Sequence, residues 1–345
     1  GQWWNTDGSG GIAQWNLSTN SWEVNIEPIG AVNRVTAYET STGATFISWG
    51  EEKLQYYSAS GAMIGEWTDS TTYSLEFPIR EIIEYDGEVL FAAVDGVHRF
   101  DESTSGWLST WTPGSGLPSN IGEATFELWT DGTDLVVGSA DFDNFGQFRD
   151  GFISHLDSQG NWNTYDTGSN GIPDGYPISM TECGGILNIA VYPRFSNGGV
   201  ARIDLTTGNI GTSFTSGVLD DDAPGSVTCD QNDILYVGYN SDNEPISRYS
   251  YSTSSWLADI DYNTNRIPSD RIWWDTLEYG NGNLLVGHAI GNSGQNIVGG
   301  GLSIIPITGG AAGTANVVNT GSAITSLQAT STKWLIGQAG YGSGY

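Results

Sequence analysis

The feature that most restricts this chain is a repeat. One pattern recurs as Gly11-Ile-Ala-Gln-Trp-Asn, Gly96-Val-His-Arg-Phe-Asp, Gly151-Phe-Ile-Ser-His-Leu-Asp, Gly199-Val-Ala-Arg-Ile-Asp, Pro245-Ile-Ser-Arg-Tyr-Ser and Gly300-Gly-Leu-Ser-Ile-Ile. Lys53-Leu-Gln-Tyr-Tyr-Ser is a weaker seventh copy. Gln14, Gln55, Arg99, Ser154, Arg202, Arg248 and Ser303 serve as anchors. A fixed step further on stand Trp22, Met63, Trp107, Trp162, Ile210, Trp256 and Ala311. Ser, Thr, Asn and Gly fill the gaps, the composition of tight hairpins. The anchors recur about every 40–55 residues, the range of repeat folds. The interval that leaves through the C-terminus and re-enters at the N-terminus has similar length, so the units close a circle.

A second hairpin precedes each anchor. Its inner strand is expected near 32–38, 79–85, 121–128, 178–182, 226–228, 272–279 and 324–329. Its partner is an apolar run that often ends in glycine, as in Leu135-Val-Val-Gly, Leu235-Tyr-Val-Gly, Leu284-Leu-Val-Gly and Trp334-Leu-Ile-Gly. No stretch carries a helical period. Four short strands per unit predict an all-β, seven-bladed β-propeller of four-stranded blades, forming one domain over 1–345. The N-terminus supplies only two outer strands and the C-terminus only two inner ones. The closing blade is therefore expected from about 1–27 plus 322–345.

These segments resemble the propeller repeats of two-component-regulator sensors. Gly116-Leu-Pro-Ser-Asn, Gly171-Ile-Pro-Asp and Arg266-Ile-Pro-Ser-Asp look like the loop of those repeats, and Asp86-Gly and Asp131-Gly like their turn. Ala201-Arg-Ile-Asp-Leu-Thr-Thr-Gly is more distantly similar to quinoprotein repeats. The chain departs from the pattern in blade length and in lacking the aromatic residue of the Leu-Trp-Val-Gly form. The resemblance implies a ring-shaped sensor or recognition domain and carries over no ligand residue.

Charge narrows the partners. Forty Asp and Glu face eleven Lys and Arg, a formal net charge of −29. Phosphate backbones and anionic lipid surfaces require clustered Lys and Arg, so nucleic acid is not expected. No apolar run is long enough to span a membrane as a helix. The composition suits a secreted or cell-surface protein with neutral or cationic partners. Cys183 and Cys229 either pair once or stay two small buried thiols. Gly1 and Tyr345 fall in one loop, which leads to the expectation of neighbouring domains or subunits at the termini.

Ligand-binding candidates come from the face that propellers commonly use, by analogy of fold. Its longer loops are expected at 139–150, 192–198, 239–244 and 288–299. They hold Phe142, Phe145, Phe148, Tyr192, Phe195 and Tyr239, whose flat rings suit stacking on a glycan or a protein ligand. Arg34, Arg80 and Arg271 recur at the start of inner strands and suit a carboxylate or sulfate at the channel mouth. Asp141, Asp143, Asp150 and Asp220, Asp221, Asp222 are chemically suited to calcium, although neither set matches a known calcium loop. The alternatives are packing for the rings, ion pairs for the arginines and a solvated rim for the carboxylates.

Chemistry for catalysis is sparse. His98, His155 and His288 lie in different blades, so neither a His-rich metal site nor a nucleophile–His dyad is legible. Asp157-Ser-Gln-Gly-Asn-Trp looks like an Asp box, which is hairpin structure. The expected function is a non-enzymatic extracellular recognition or scaffolding domain. The alternative is a glycan-acting hydrolase or lyase at the channel mouth.

Overall fold

The computed structural model describes residues 11–19, 21–26, 35–49, 53–68, 78–142, 148–193, 198–215, 217–239, 244–261, 265, 276–291, 297–319 and 323–339. Among these, strands assemble into seven antiparallel sheets, the blades of a β-propeller. Blade 1 is Val35–Glu39, Thr45–Trp49, Lys53–Tyr57 and Met63–Thr68; blade 2 is Glu81–Tyr85, Glu88–Ala93, Gly96–Asp101 and Gly106–Trp107. Blade 3 is Ala124–Thr130, Leu135–Phe142, Phe148–Leu156 and Trp162–Asp166; blade 4 is Gly175–Cys183, Ile186–Pro193, Gly199–Asp204 and Asn209–Ile210. Blade 5 is Pro224–Cys229, Ile234–Tyr239, Ser247–Ser250 and Ser255–Trp256. Blade 6 is Thr276–Gly280, Asn283–Gly291 and Ile297–Thr308, with a fourth strand broken into Ala311–Ala312 and Asn316–Asn319. Blade 7 joins Ala323–Ala329 and Lys333–Ala339 to Gly11–Asn16 and Ser21–Ile26. The expected closing blade is thus present, with Trp15 opposite Trp334 in register.

Second strands read as unbroken apolar runs because both of their faces are covered. Leu135, Val136 and Val137 are all fully buried, as are Leu284, Leu285 and Val286. Apolar clusters then form between successive blades. Phe46, Leu54, Ile82, Phe91 and Phe100 fill the space between blades 1 and 2, and Tyr236, Ile260, Leu284 and Ile305 that between blades 5 and 6.

The repeated Gly-x-x-Arg-x-Asp motif now has a physical account. A Cβ on Gly96 or Gly199 would stand 2.3 Å from the carbonyl oxygen of Trp111 or Phe214. Those carbonyls belong to fourth strands that leave the sheet briefly and bridge it again, through Val97–Trp111, Val200–Phe214 and Ile246–Ile260. The anchor arginine clamps this excursion. Arg202 Nη1 donates to Thr212 O (3.3 Å) and Arg248 Nη1 to Ala258 O (3.0 Å). The guanidinium groups of Arg99 and Arg202 lie 4.5 and 4.6 Å over the rings of Trp111 and Phe214. The closing aspartate caps the turn: Asp101 and Asp204 each accept the backbone N–H groups two and three residues on. Hydroxyl donors (Ser103 and Thr104 to Asp101, Thr207 to Asp204), followed by those N–H groups, lower both carboxyl pKa values. Anchor arginines are therefore structural.

Two anchors shift by one residue. In blades 2 and 5 the anchor pairs across as Arg99–Leu90 and Arg248–Tyr236. The equivalent partners are His155 with Val136 in blade 3 and Ile304 with Leu285 in blade 6, in place of Ser154 and Ser303. The third strand of blade 3 holds one extra residue between its glycine and its anchor, and a one-residue slip exchanges the two faces of a strand. The side chains agree, since His155 Nε2 meets Asp134 (2.9 Å) where Arg99 meets Glu88.

The Cα positions divide the chain into two compact units, Gly1–Ala37 with Thr181–Asn188 and Ser216–Tyr345, and Tyr38–Met180 with Ile189–Thr215. Within each unit, neighbouring blades meet at the glycine that follows the apolar run of the second strand. A Cβ on Gly138 would lie 2.8 Å from Pro177 and Met180, and one on Gly337 would lie 2.6 Å from Val35 O. First-hairpin turns are also tied to each other, by Ser41 N and Oγ to Glu84 (2.5 and 2.9 Å) and by Asn281 Nδ2 to Thr330 O (2.9 Å). The two cysteines form a disulfide at the same level, joining the first strands of blades 4 and 5. The seam at Gly337 should be intolerant. Gly337→Ala forces a methyl against backbone, so equilibrium denaturation is expected to show a loss of about 1–3 kcal/mol. A loss under about 0.5 kcal/mol would mean that the seam yields freely.

Candidate functional site

Blade 3 has long second and third strands, Leu135–Phe142 and Phe148–Leu156. They pair as far as Asp141–Asp150 and Phe142–Phe148, with a bulge between Asp141 and Phe142. This end of the pair carries Phe142 and Phe148 out to meet Phe126 on the first strand of the same blade. Ring centroids are 5.9 Å apart for Phe126–Phe142 and 6.1 Å for Phe142–Phe148. Blade 4 adds Tyr176, 5.1 Å from Phe126 and 5.2 Å from Phe148, and then Tyr192, 5.4 Å from Tyr176. Backbone packing positions the two tyrosines. A Cβ on Gly175 would stand 1.9 Å from Tyr192 O, so only glycine lets the first strand press so close to the end of the second. Arg80, just before the first strand of blade 2, completes the group with its guanidinium 4.2 Å over the Phe126 ring.

All six side chains belong to one compact unit. Phe126 is buried, Arg80, Phe148, Tyr176 and Tyr192 are half-buried, and Phe142 is 37% exposed. The Tyr176 phenol is pushed up to about 12, chiefly by burial and then by Tyr192, with Arg80 opposing. It is a neutral hydroxyl donor at any physiological pH. The result is a continuous aromatic wall with one cation behind it and one ring open to solvent.

Among solved structures, 92% of this chain matches the extracellular domain of a one-component-system protein from B. thetaiotaomicron, with TM-score 0.64 and 15% identity over 42% of that chain. The extracellular domain of a hybrid two-component-system protein from the same organism matches 89% of it, with TM-score 0.61 and 14% identity over 40% of that chain. A further structure of that hybrid class gives TM-score 0.62 and 15% identity, covering 96% of this chain and 43% of that one. The likeness is one of fold. No protein-family model matches the chain, and no curated protein matches it. The chain spans about two-fifths of the length of the structures it resembles.

Four of the sequence-derived ligand candidates, Arg80, Phe142, Phe148 and Tyr192, come together in the wall. Phe126 lies in an expected inner strand and Tyr176 just ahead of another, so neither falls in the loops that supply the ligand candidates. Tyr239 is no loop residue. It ends the second strand of blade 5, fully buried, and its hydroxyl shares a 2.6 Å hydrogen bond with Ser247 Oγ. Burial raises its pKa. Arg34, Arg271, Phe145, Phe195 and Asp143 lie outside the described residues.

The acidic candidates fall in two places. Asp141 and Asp150 face each other across blade 3 beside the wall. Asp220 accepts from Ser247 Oγ at 2.5 Å, and Asp221 Oδ1 accepts from Ala223 N at 2.7 Å. Asp222 is half-buried beside them. Carboxylates crowd here. Burial, and then Asp221 and Asp220, raise the pKa of Glu244, while burial and Asp220 raise that of Asp259. Among the described residues, no three His, Cys, Asp or Glu side chains converge as a metal site requires.

Histidine placement differs from the sequence reading in one respect. His288 lies in the second strand of blade 6 instead of opening a loop, and its Nε2 is 2.8 Å from Ser303 Oγ. A Ser–His pair therefore exists. Both side chains are fully buried between strands, so no substrate reaches them. His98 is held by Asp95 (2.7 Å) and Thr110 (3.2 Å) within blade 2.

Proposed function

We propose that this chain is a non-catalytic recognition domain of an extracellular or cell-surface protein, with its ligand seated on the aromatic wall of blades 3 and 4. The wall carries the reading. Tilted and edge-on rings clustered at strand ends offer a large apolar contact that loses little conformational entropy on binding, and Phe142 is already presented to solvent. The Cys183–Cys229 disulfide supports an oxidising compartment. The extracellular domains that share the fold, each part of a longer chain, support the same location.

The test is an array of glycans and peptides scored for retention and for product release. Retention without turnover is expected, weakened about tenfold or more by Phe142→Ala with the melting temperature unchanged. Retention indifferent to both Phe142→Ala and Tyr192→Ala would place the ligand elsewhere. Saturable product release abolished by Arg80→Ala would replace recognition with catalysis.

A further inference from the structure

We infer that the occupant of the wall is a cationic, arginine-bearing extended segment of a partner protein, seated with a guanidinium on the Phe142 ring. This deepens the recognition reading and rests on it. Three observations carry the choice of partner.

The first is the company that aromatic faces keep in this protein. A guanidinium lies over a ring at Arg80–Phe126 (4.2 Å), Arg99–Trp111 (4.5 Å), Arg202–Phe214 (4.6 Å) and Arg248–Tyr236 (5.8 Å). Arginine stacks on such faces because its planar cation is weakly hydrated and the ring face is electron-rich. Phe142 adjoins Phe126, which already carries one.

The second is local charge. Asp150 and Glu123 are exposed at this end of blade 3 and Asp141 is half-buried, so three carboxylates stand against two arginines, the exposed Arg149 and Arg80 on the Phe126 ring. Gly122, next to Glu123, lies against the second strand, since a Cβ on Gly122 would stand 2.3 Å from Asp141 N, and Asp141 pairs with Asp150. An incoming cation would meet an electron-rich ring and carboxylate acceptors together.

The third is the whole field. A net charge of −29 steers cations inward and repels anionic ligands, an effect that salt screens. A neutral ligand would gain nothing from it.

The experiment is calorimetric titration of the chain with end-capped peptides of alternating glycine and arginine, lysine or citrulline. Citrulline keeps the planar shape and removes the charge. Arginine should bind best, lysine more weakly and citrulline least, and raised salt should weaken the arginine peptide. Phe142→Ala and Phe142→Leu should each cost about three- to thirtyfold, because leucine keeps the apolar contact and loses the ring. Equal binding of the arginine and citrulline peptides, or arginine binding indifferent to both variants, would overturn the inference. Retention of a neutral glycan through Phe142, without arginine-peptide binding, would overturn it and leave the recognition reading standing. Failure of both ligand classes would overturn both.

Discussion

Removing residues 1–26 is expected to abolish the cooperative unfolding transition and leave a protein that aggregates. The deletion takes away Gly11–Asn16 and Ser21–Ile26, the third and fourth strands of blade 7. Their loss uncovers Lys333–Ala339, whose Trp334, Leu335 and Ile336 are buried in the intact chain. Six paired residues, Gly11–Gln338 through Asn16–Lys333, lose their partners, and the Trp15 ring no longer lies against Trp334. An apolar strand with unpaired N–H and C=O groups is a template for association with other chains. Sedimentation and thermal melting read the outcome. A truncated chain that stays monomeric and melts like the full one would mean that blade 7 contributes nothing to closure.

Blade number, strand order and the two-ended closing blade were legible because each rests on a pattern that recurs. The apolar second strand and the turn residues agree in most copies and Gly-x-x-Arg-x-Asp is complete in two, so an error in one copy is outvoted. The blade 3 anchor shows where that ends. Ser154 and His155 both follow Gly151 at plausible distances, and only the pairing with Val136 and the contact to Asp134 select His155. Side-chain facing depends on single-residue register, which composition does not encode.

The aromatic wall was legible only in part, for a related reason. Phe142, Phe148 and Tyr192 stand out as aromatics in polar surroundings, and Arg80 stands out by recurrence. Tyr176 and Phe126 lie outside the expected loops, and Tyr176 reaches the wall through a close approach of the first two strands of blade 4 that Gly175 permits. A glycine that opens a strand and is followed by tyrosine was the available signal. Tyr239 misled in the opposite direction: a ring before Asn, Ser and Asp reads as a loop, whereas the buried Ser247 hydroxyl and the Asp220 backbone N–H are partners for its hydroxyl.

Breaking the Cys183–Cys229 disulfide is the second large effect expected. The bond spans 46 residues, and closing a loop of that length in the unfolded chain is worth about 2–4 kcal/mol. Both cysteines end first strands, one in blade 4 and one in blade 5, so the link fastens hairpin to hairpin inside one compact unit. Gly184 N donates to Asp233 Oδ1 at 3.3 Å, and Tyr251 OH donates to Asn188 Oδ1 at 2.5 Å. The neutral Tyr251–Asn188 bond contributes about 0.5–1.5 kcal/mol and the bond to the Asp233 carboxylate about 1.5–3 kcal/mol, so the covalent link is worth about as much as the two together. Equilibrium denaturation should therefore show the reduced protein and the Cys183→Ala/Cys229→Ala variant losing similar amounts, about 2–4 kcal/mol. Alanine is the right replacement because Cys183 is buried, where a serine hydroxyl would add a desolvation cost of its own. If the variant is as stable as the oxidised chain, the hydrogen bonds and the apolar packing of blades 4 and 5 hold this junction unaided. If reduction destabilises and the variant does not, the free thiols are responsible instead of the lost cross-link.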